Sequence, residues 1–179
     1  MIEIRLHGRG GMGTVKAGEV IVHARVARGG YGNSIPFFGF ERQGAPVTSF
    51  VRLDDKPIRP KTQVYEPQCI IVLDATLGVA VDLFEGMRNE GVLVINSPED
   101  PRAITAPNRV GTIAAVDATE LSIRRLGRAI PNTAMLGAFV RGTGWIELEP
   151  VIERVTALWG ESNAALVREA YDATRVFER

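Results

Sequence analysis

Gly8, Gly10 and Gly13 fall at G-x-G-x-x-G spacing within "GRGGMGT", residues 8–14. That spacing suits a tight turn whose backbone can approach a diphosphate, with the N–H groups of a following helix as donors. Gly11, Met12 and Thr14 complete the loop, and Arg9 and Lys16 add positive charge beside it. A second reading makes the glycines a turn that lets a helix pack tightly on a strand. A nicotinamide site would also need an acid about 20 residues onward to hold a ribose. The stretch "RGGYGNSIPFF" supplies none before Glu41, so NAD is disfavoured.

Other polar residues stand where ligands collect. Glu41, Arg42 and Gln43 lie in "FERQGAPV", a Gly/Pro-containing loop that either binds or carries a solvated ion pair. Asp74 and Asn96 end apolar runs, at the tips where open α/β sheets bind ligands; Asp74 equally suits a helix cap. Asn132 in "PNTAMLGAF" either caps its helix or points at a ligand. His7 sits beside the glycine loop, and His23 lies four residues after Glu19, the spacing of an exposed helical pair. Two separated histidines and no cysteine cluster give no metal site, and no G-x-S-x-G or Cys–His arrangement marks a nucleophile. No catalytic residue is expected in this chain.

The elements that would hold these residues alternate. "IEIRLH" reads as a strand over 2–7, and Thr14 to Arg28 as a helix with Ala17, Val20, Ile21, Ala24 and Ala27 on one face, stopped by "GGYGN". "SIPFFGFERQGAP" reads as a short strand and then a loop, "VTSFVRL" as a strand, and "PIRPKTQVYEPQ" as a segment along an edge. "CIIVLDA", "GVLVINS" and "VGTIAAVDA" are apolar enough for buried strands. "LGVAVDLFEGMRN" reads as a helix between the first two, and 121–126 as another after the third. Asn132 caps a helix to about Arg141, and Pro150 begins one that Gly160 ends, with Val151, Val155 and Leu158 inward. Ser162 caps the last helix, with Leu166, Val167, Ala170 and Tyr171 facing inward. Strands alternating with helices predict a single α/β domain over 1–179: Rossmann-like, three-layered, with a largely parallel sheet and C-terminal helices.

Composition narrows the classes. The 179 residues carry 21 basic and 21 acidic side chains, so zero net charge gives no reason to expect nucleic acid or an anionic membrane as partner. The single cysteine, Cys69, reads as a core residue; it excludes an intramolecular disulfide and a protein-held iron–sulfur cluster, which takes four thiolates. No apolar run is long enough to span a bilayer, and a cytoplasmic address is expected.

Three blocks then fall in one order: "EIRLHGRGGMG", the stretch from "FFGFERQGAPV" to "CIIVLDATL", and "NTAMLGAF". Together they resemble the gamma subunit of the 2-oxoacid:ferredoxin oxidoreductases, over nearly the whole chain. The resemblance implies a cytoplasmic multi-subunit enzyme. Its alpha and beta chains hold thiamine diphosphate with Mg²⁺, a ferredoxin-like delta chain carries [4Fe–4S] clusters, and ferredoxin accepts the electrons. Such an assembly decarboxylates a 2-oxoacid and passes the acyl group to coenzyme A. The gamma chain, inactive alone, helps form the coenzyme A region through Gly8–Thr14, Lys16, Glu41, Arg42 and Asn132, its loop either receiving a phosphate of coenzyme A or closing over the active-site mouth. Two positions depart from the family pattern: Met12 stands where glutamine is usual, and Gln43 where arginine is usual. They point to a branch acting on another 2-oxoacid, such as an aromatic one or oxalate.

Overall fold

In a computed structural model of the chain, which describes residues 1–38 and 44–179, β1 (Ile2–Arg9) runs directly into the glycine loop. Helix α1 (Thr14–Val26) follows, burying Ala17, Val20, Ile21 and Ala24, with Ala27 just beyond it as C-cap. Then come β2 (Tyr31–Phe38), β3 (Pro46–Asp54) and β4 (Cys69–Val72). A 3-10 turn over Ala75–Val79, β5 (Gly91–Asn96), β6 (Val110–Val116) and α2 (Ala118–Leu126) lead to three further helices. These are α3 (Asn132–Thr143), α4 (Leu148–Trp159) and α5 (Glu161–Ala173), and β7 (Arg175–Glu178) ends the chain.

The seven strands form one sheet in the order β2-β3-β1-β4-β5-β6-β7. β1 pairs parallel with β4, β4 with β5 and β5 with β6, whereas β3 and β7 run antiparallel to their neighbours. Since β2 is antiparallel to β3, five of the seven strands point the same way. The sheet is mixed but mostly parallel, as the alternation predicts.

Strand alternation assigns each side chain to a face. Ile4, Leu6, Val51, Ile71 and Val94 face the helices and form one core with Leu136, Phe139, Val151, Val155, Leu166 and Val167. Ile70, Val72, Leu93, Ile95 and Ile113 face the other way, onto Leu77, Leu83, Met87 and Ile104. Each such buried side chain contributes roughly 1.5–3 kcal/mol. The layer on this second face is a 3-10 turn and irregular chain, with no α-helix among the described residues.

Several expectations change. The helix expected over 77–89 does not form beyond the 3-10 turn. The Asp82 carboxylate accepts from Phe84 N (2.9 Å), Gly86 takes a φ of 67°, and Arg5 Nη2 occupies the carbonyls of Leu83 (3.1 Å) and Glu85 (2.6 Å). Backbone groups that a helix would use are thus bonded elsewhere. β2 is longer than expected, starting at Tyr31, and tolerates Pro36 because it is an edge strand. Residues 60–63 cross the face of β2 and β3 rather than following an edge, since Asn33 Nδ2 donates to Pro60 O and Arg52 to the carbonyls of Thr62 and Gln63.

Asn132 is the first residue of α3, whose N-cap is Pro131, and Gly160, not Ser162, caps α5. Leu158 is exposed; Ile152 takes the inward place. His23 does not pair with Glu19, which binds Lys16 instead. β7 was not expected at all. Among the described residues no helix is long and apolar enough to cross a membrane.

Candidate functional site

The glycine loop is shaped by two close approaches and two left-handed residues. Thr14 Oγ1, buried and without a hydrogen-bond partner among the described residues, lies over Gly8, where any Cβ would collide with it. Gly11 and Gly13 adopt φ of 93° and 77°, a region that disfavours side chains. Gly13 is the N-cap of α1 and packs against the Asn132 side chain at the start of α3. Gly10 is tied to the entry of β3, its N–H donating to Ala45 O (2.9 Å) and its carbonyl accepting from Gly44 N (3.3 Å). Met12 N–H donates to Arg9 O (3.0 Å), closing the turn. The glycines therefore serve tight packing, and the same turn leaves the first N–H groups of α1 without intrahelical acceptors.

The two expected cations are partly committed. Arg9 Nε donates to Asp74 Oδ2 (2.5 Å), Nη1 to Gly44 O (3.2 Å) and Nη2 to Thr76 Oγ1 (2.9 Å), so Arg9 braces the loop to the end of β4. Asp74 also caps the 3-10 turn through Thr76 N (2.9 Å). Burial would raise its carboxyl, but hydrogen bonds from Thr76 and Arg9 outweigh that and hold it below the ordinary range. Lys16 Nζ meets Glu19 Oε2 at 2.7 Å on the open surface. Such a pair is worth about 0–1 kcal/mol and is readily exchanged for a stronger anion.

Beside the loop opens a cleft of about 460 Å³, walled by Gly11, Gly13 and Lys16, by Arg128, Asn132 and Thr133, and by Trp159 and Asn163. Three helix N-termini border it, those of α1, α3 and α5, and none has a side-chain cap. Each contributes free N–H donors and about half a positive charge. Thr133 Oγ1 donates to Asn163 Oδ1 (3.2 Å), and Asn163 Nδ2 to Trp159 O (3.0 Å), which fixes the far wall. Arg128 is exposed in the α2–α3 connection and pairs with no carboxylate among the described residues. The motif thus brings Gly11, Gly13, Lys16 and Asn132 to one cleft, while Arg9 faces a different one.

A second cleft, about 420 Å³, lies at the C-terminal ends of β4, β5 and β6, lined by Met12, Asp74, Thr76, Asn96, Asp117 and Thr119 among others. Asn96 Nδ2 donates to Leu73 O (2.9 Å) and Thr119 Oγ1 (2.8 Å). Two carboxylates make this cleft hostile to phosphate. Of these two clefts, the first has the charge that suits an anion.

Glu41, Arg42 and Gln43 lie outside the described residues. Arg128, Thr133, Trp159 and Asn163 escape a motif reading because they come from three separate elements. The hint in sequence is an arginine in "GRAIPN", just ahead of a helix start. Cys69 is fully buried, and burial pushes its thiol up. Among the described residues no three His, Cys, Asp or Glu side chains gather into a metal site.

Comparison with known proteins decides the family. The model of the pyruvate ferredoxin/flavodoxin oxidoreductase family matches residues 3–173. The chain belongs to this family. It is similar to the pyruvate/ketoisovalerate oxidoreductases common subunit gamma of Pyrococcus furiosus, at 44% identity over 99% of this chain and 100% of that one. It is 45% identical to the NADH-dependent phenylglyoxylate dehydrogenase subunit gamma of Aromatoleum evansii, over 83% of this chain and 78% of the other. Among solved structures, the pyruvate oxidoreductase subunit PORC of Thermotoga maritima superposes with a TM-score of 0.86 at 34% identity, covering 99% of this chain and 98% of that one. The protein is a gamma subunit of a 2-oxoacid ferredoxin oxidoreductase complex.

Proposed function

We propose that this gamma subunit serves a thiamine diphosphate-dependent oxidation of a 2-oxoacid to an acyl-CoA, and that it holds a phosphate-bearing part of coenzyme A in the cleft beside the glycine loop. The supporting observation is the convergence of three uncapped helix N-termini with Lys16 and Arg128 in one cleft. N–H groups of Gly13 and Thr14 and the start of α3 would meet phosphate oxygens, Lys16 would exchange Glu19 for them, and Trp159 offers an apolar wall to the base. Thiamine diphosphate with Mg²⁺ belongs to the alpha and beta chains, which supply the decarboxylation, and [4Fe–4S] clusters to a delta chain that passes electrons to ferredoxin. Four thiolates are beyond a chain with one cysteine, so this chain's own part is binding and orientation. A free Cys69 suits a cytoplasmic assembly.

The topology argues against a free-standing NAD or flavin module. In a dinucleotide fold the strand after the first helix lies beside β1 and presents its tip to the ribose. Here β3 separates β2 from β1. A purely scaffolding gamma chain is the second reading, favoured by the commitment of Arg9 to Asp74.

Calorimetry of coenzyme A binding to the assembled complex separates the two. Arg128→Ala and Lys16→Ala should each weaken binding about tenfold or more, the loss of a charge-assisted contact of about 1.5–3 kcal/mol. Reduction of an artificial acceptor by the 2-oxoacid without coenzyme A should stay unchanged. Unaltered affinity in both variants would leave scaffolding as the role.

A further inference from the structure

The sheet is covered unevenly, and the uncovered corner has a defined chemistry. On the face away from the helices, β4, β5 and β6 are closed over by Leu77, Leu83 and Met87. Among the described residues that cover stops toward β1, β3 and β2. Residues 60–63 cross one end, held by Arg52 and Asn33, and Arg5 fastens the chain at Leu83 and Glu85 at the other. Between them remains a cavity of about 360 Å³ walled by Phe37, Val47, Phe50, Leu77 and Val81.

Phe37 is 55% exposed and Val79, on the adjoining 3-10 turn, 95% exposed. β2, which carries Phe37, is the sheet edge and eight residues long. Its length, about 26 Å, offers unpaired backbone groups as well as side chains. Exposed apolar side chains beside a sheet-edge strand, rimmed by polar ones, mark a protein interface.

The rim fixes the sign of the partner. Asp82 and Glu85 line the cavity mouth and form no ion pair with any described residue. Arg5 beneath them is buried at 7% exposure, and His7 beside it accepts from Arg5 Nε (3.1 Å). Among the described residues, two carboxylates over one guanidinium leave the mouth net negative.

We infer that this corner is where another subunit of the complex docks, inserting an apolar side chain between Phe37 and Val81 with a lysine or arginine against Asp82 and Glu85. The inference rests on the proposed role as a complex subunit and adds the surface and its complement. The cleft proposed for coenzyme A lies on the helix side and shares no lining residue with this corner.

Co-purification of all subunits through a tag on this chain provides the test. Phe37→Asp and Val79→Asp should lower recovered partner on the order of tenfold or more, as loss of an anchor does. The double reversal Asp82→Lys, Glu85→Lys should do the same, whereas Ile123→Asp on the exposed side of α2 should not. A second measurement avoids disruptive variants: Val79→Cys adds an exposed thiol to a chain whose native one is buried. A maleimide should modify it in the lone chain and be excluded at least tenfold in the complex. Undiminished assembly of the aspartate variants with full labelling of the complex overturns the inference. So does a self-association of the lone chain that Phe37→Asp abolishes while partner binding persists. If the unaltered chain retains no partner at all, the subunit role fails instead.

Discussion

His7 shows what one residue's surroundings do to its chemistry. It lies in β1 on the face away from the helices, and burial first, then the Arg5 guanidinium, push its imidazole down to about 4. Between pH 6.5 and 4 the unfolded chain therefore binds a proton that the folded chain refuses. Stability should be full above pH 6.5 and fall by up to about 3 kcal/mol as pH drops toward 4. Denaturation midpoints across that range check this, and His7→Gln should flatten the decline. A profile that His7→Gln leaves unaltered would refute it. At Gly13 the motif was legible, but its neighbour was not. Sequence shows a turn that wants glycine; only the fold shows that Asn132 packs against it. Gly13→Ala should destabilise by more than the roughly 1–2 kcal/mol of a left-handed alanine. Adding Asn132→Ala, which removes the two nearest atoms but keeps Cβ, should reduce the excess in a double-mutant cycle, and simple additivity would contradict the contact.

At the scale of elements, the close crossing of α3 and α5 depends on Gly137, whose Cβ would strike the Val167 carbonyl. Alanine normally favours a helix by about 1 kcal/mol over glycine. Here overpacking against backbone should win, and Gly137→Ala should destabilise by about 1–3 kcal/mol in a urea titration. A stabilised variant would show that the helices can part without loss. Buried strands were plain in sequence because β4, β5 and β6 are continuous apolar runs ending in polar residues. The segment after β4 misled because apolar spacing alone cannot reveal that Arg5, 78 residues earlier, claims the Leu83 carbonyl. β7 was invisible for a like reason. Its four residues carry no strand pattern, and it is fastened by contacts elsewhere: Arg175 Nη2 to the carbonyls of Pro98 and Glu99, and Arg179 N–H to Gly111 O.

For the whole molecule, the α/β class followed from alternation, whereas the strand order did not, since nothing local says that β3 inserts between β2 and β1. That insertion moves the tip of β2 away from the glycine loop and with it the usual ribose position. The candidate site was half legible: the loop announced itself, but Arg128, Trp159 and Asn163 join its cleft only through packing. Cys69 offers a global probe of that packing, being wholly buried in β4. Its thiol should react about a thousandfold or more slower than in unfolded chain, through global opening alone. Fast labelling under native conditions would reveal a looser centre.

The long strand β2, left open at the sheet margin, bears on how the protein must be made. Any molecule synthesised in surplus over its companions carries a sticky border able to zip onto another copy of itself. Pro36 removes one donor from that border, and if companions cover the remainder, overproduction of this polypeptide by itself should yield more aggregate than overproduction with them.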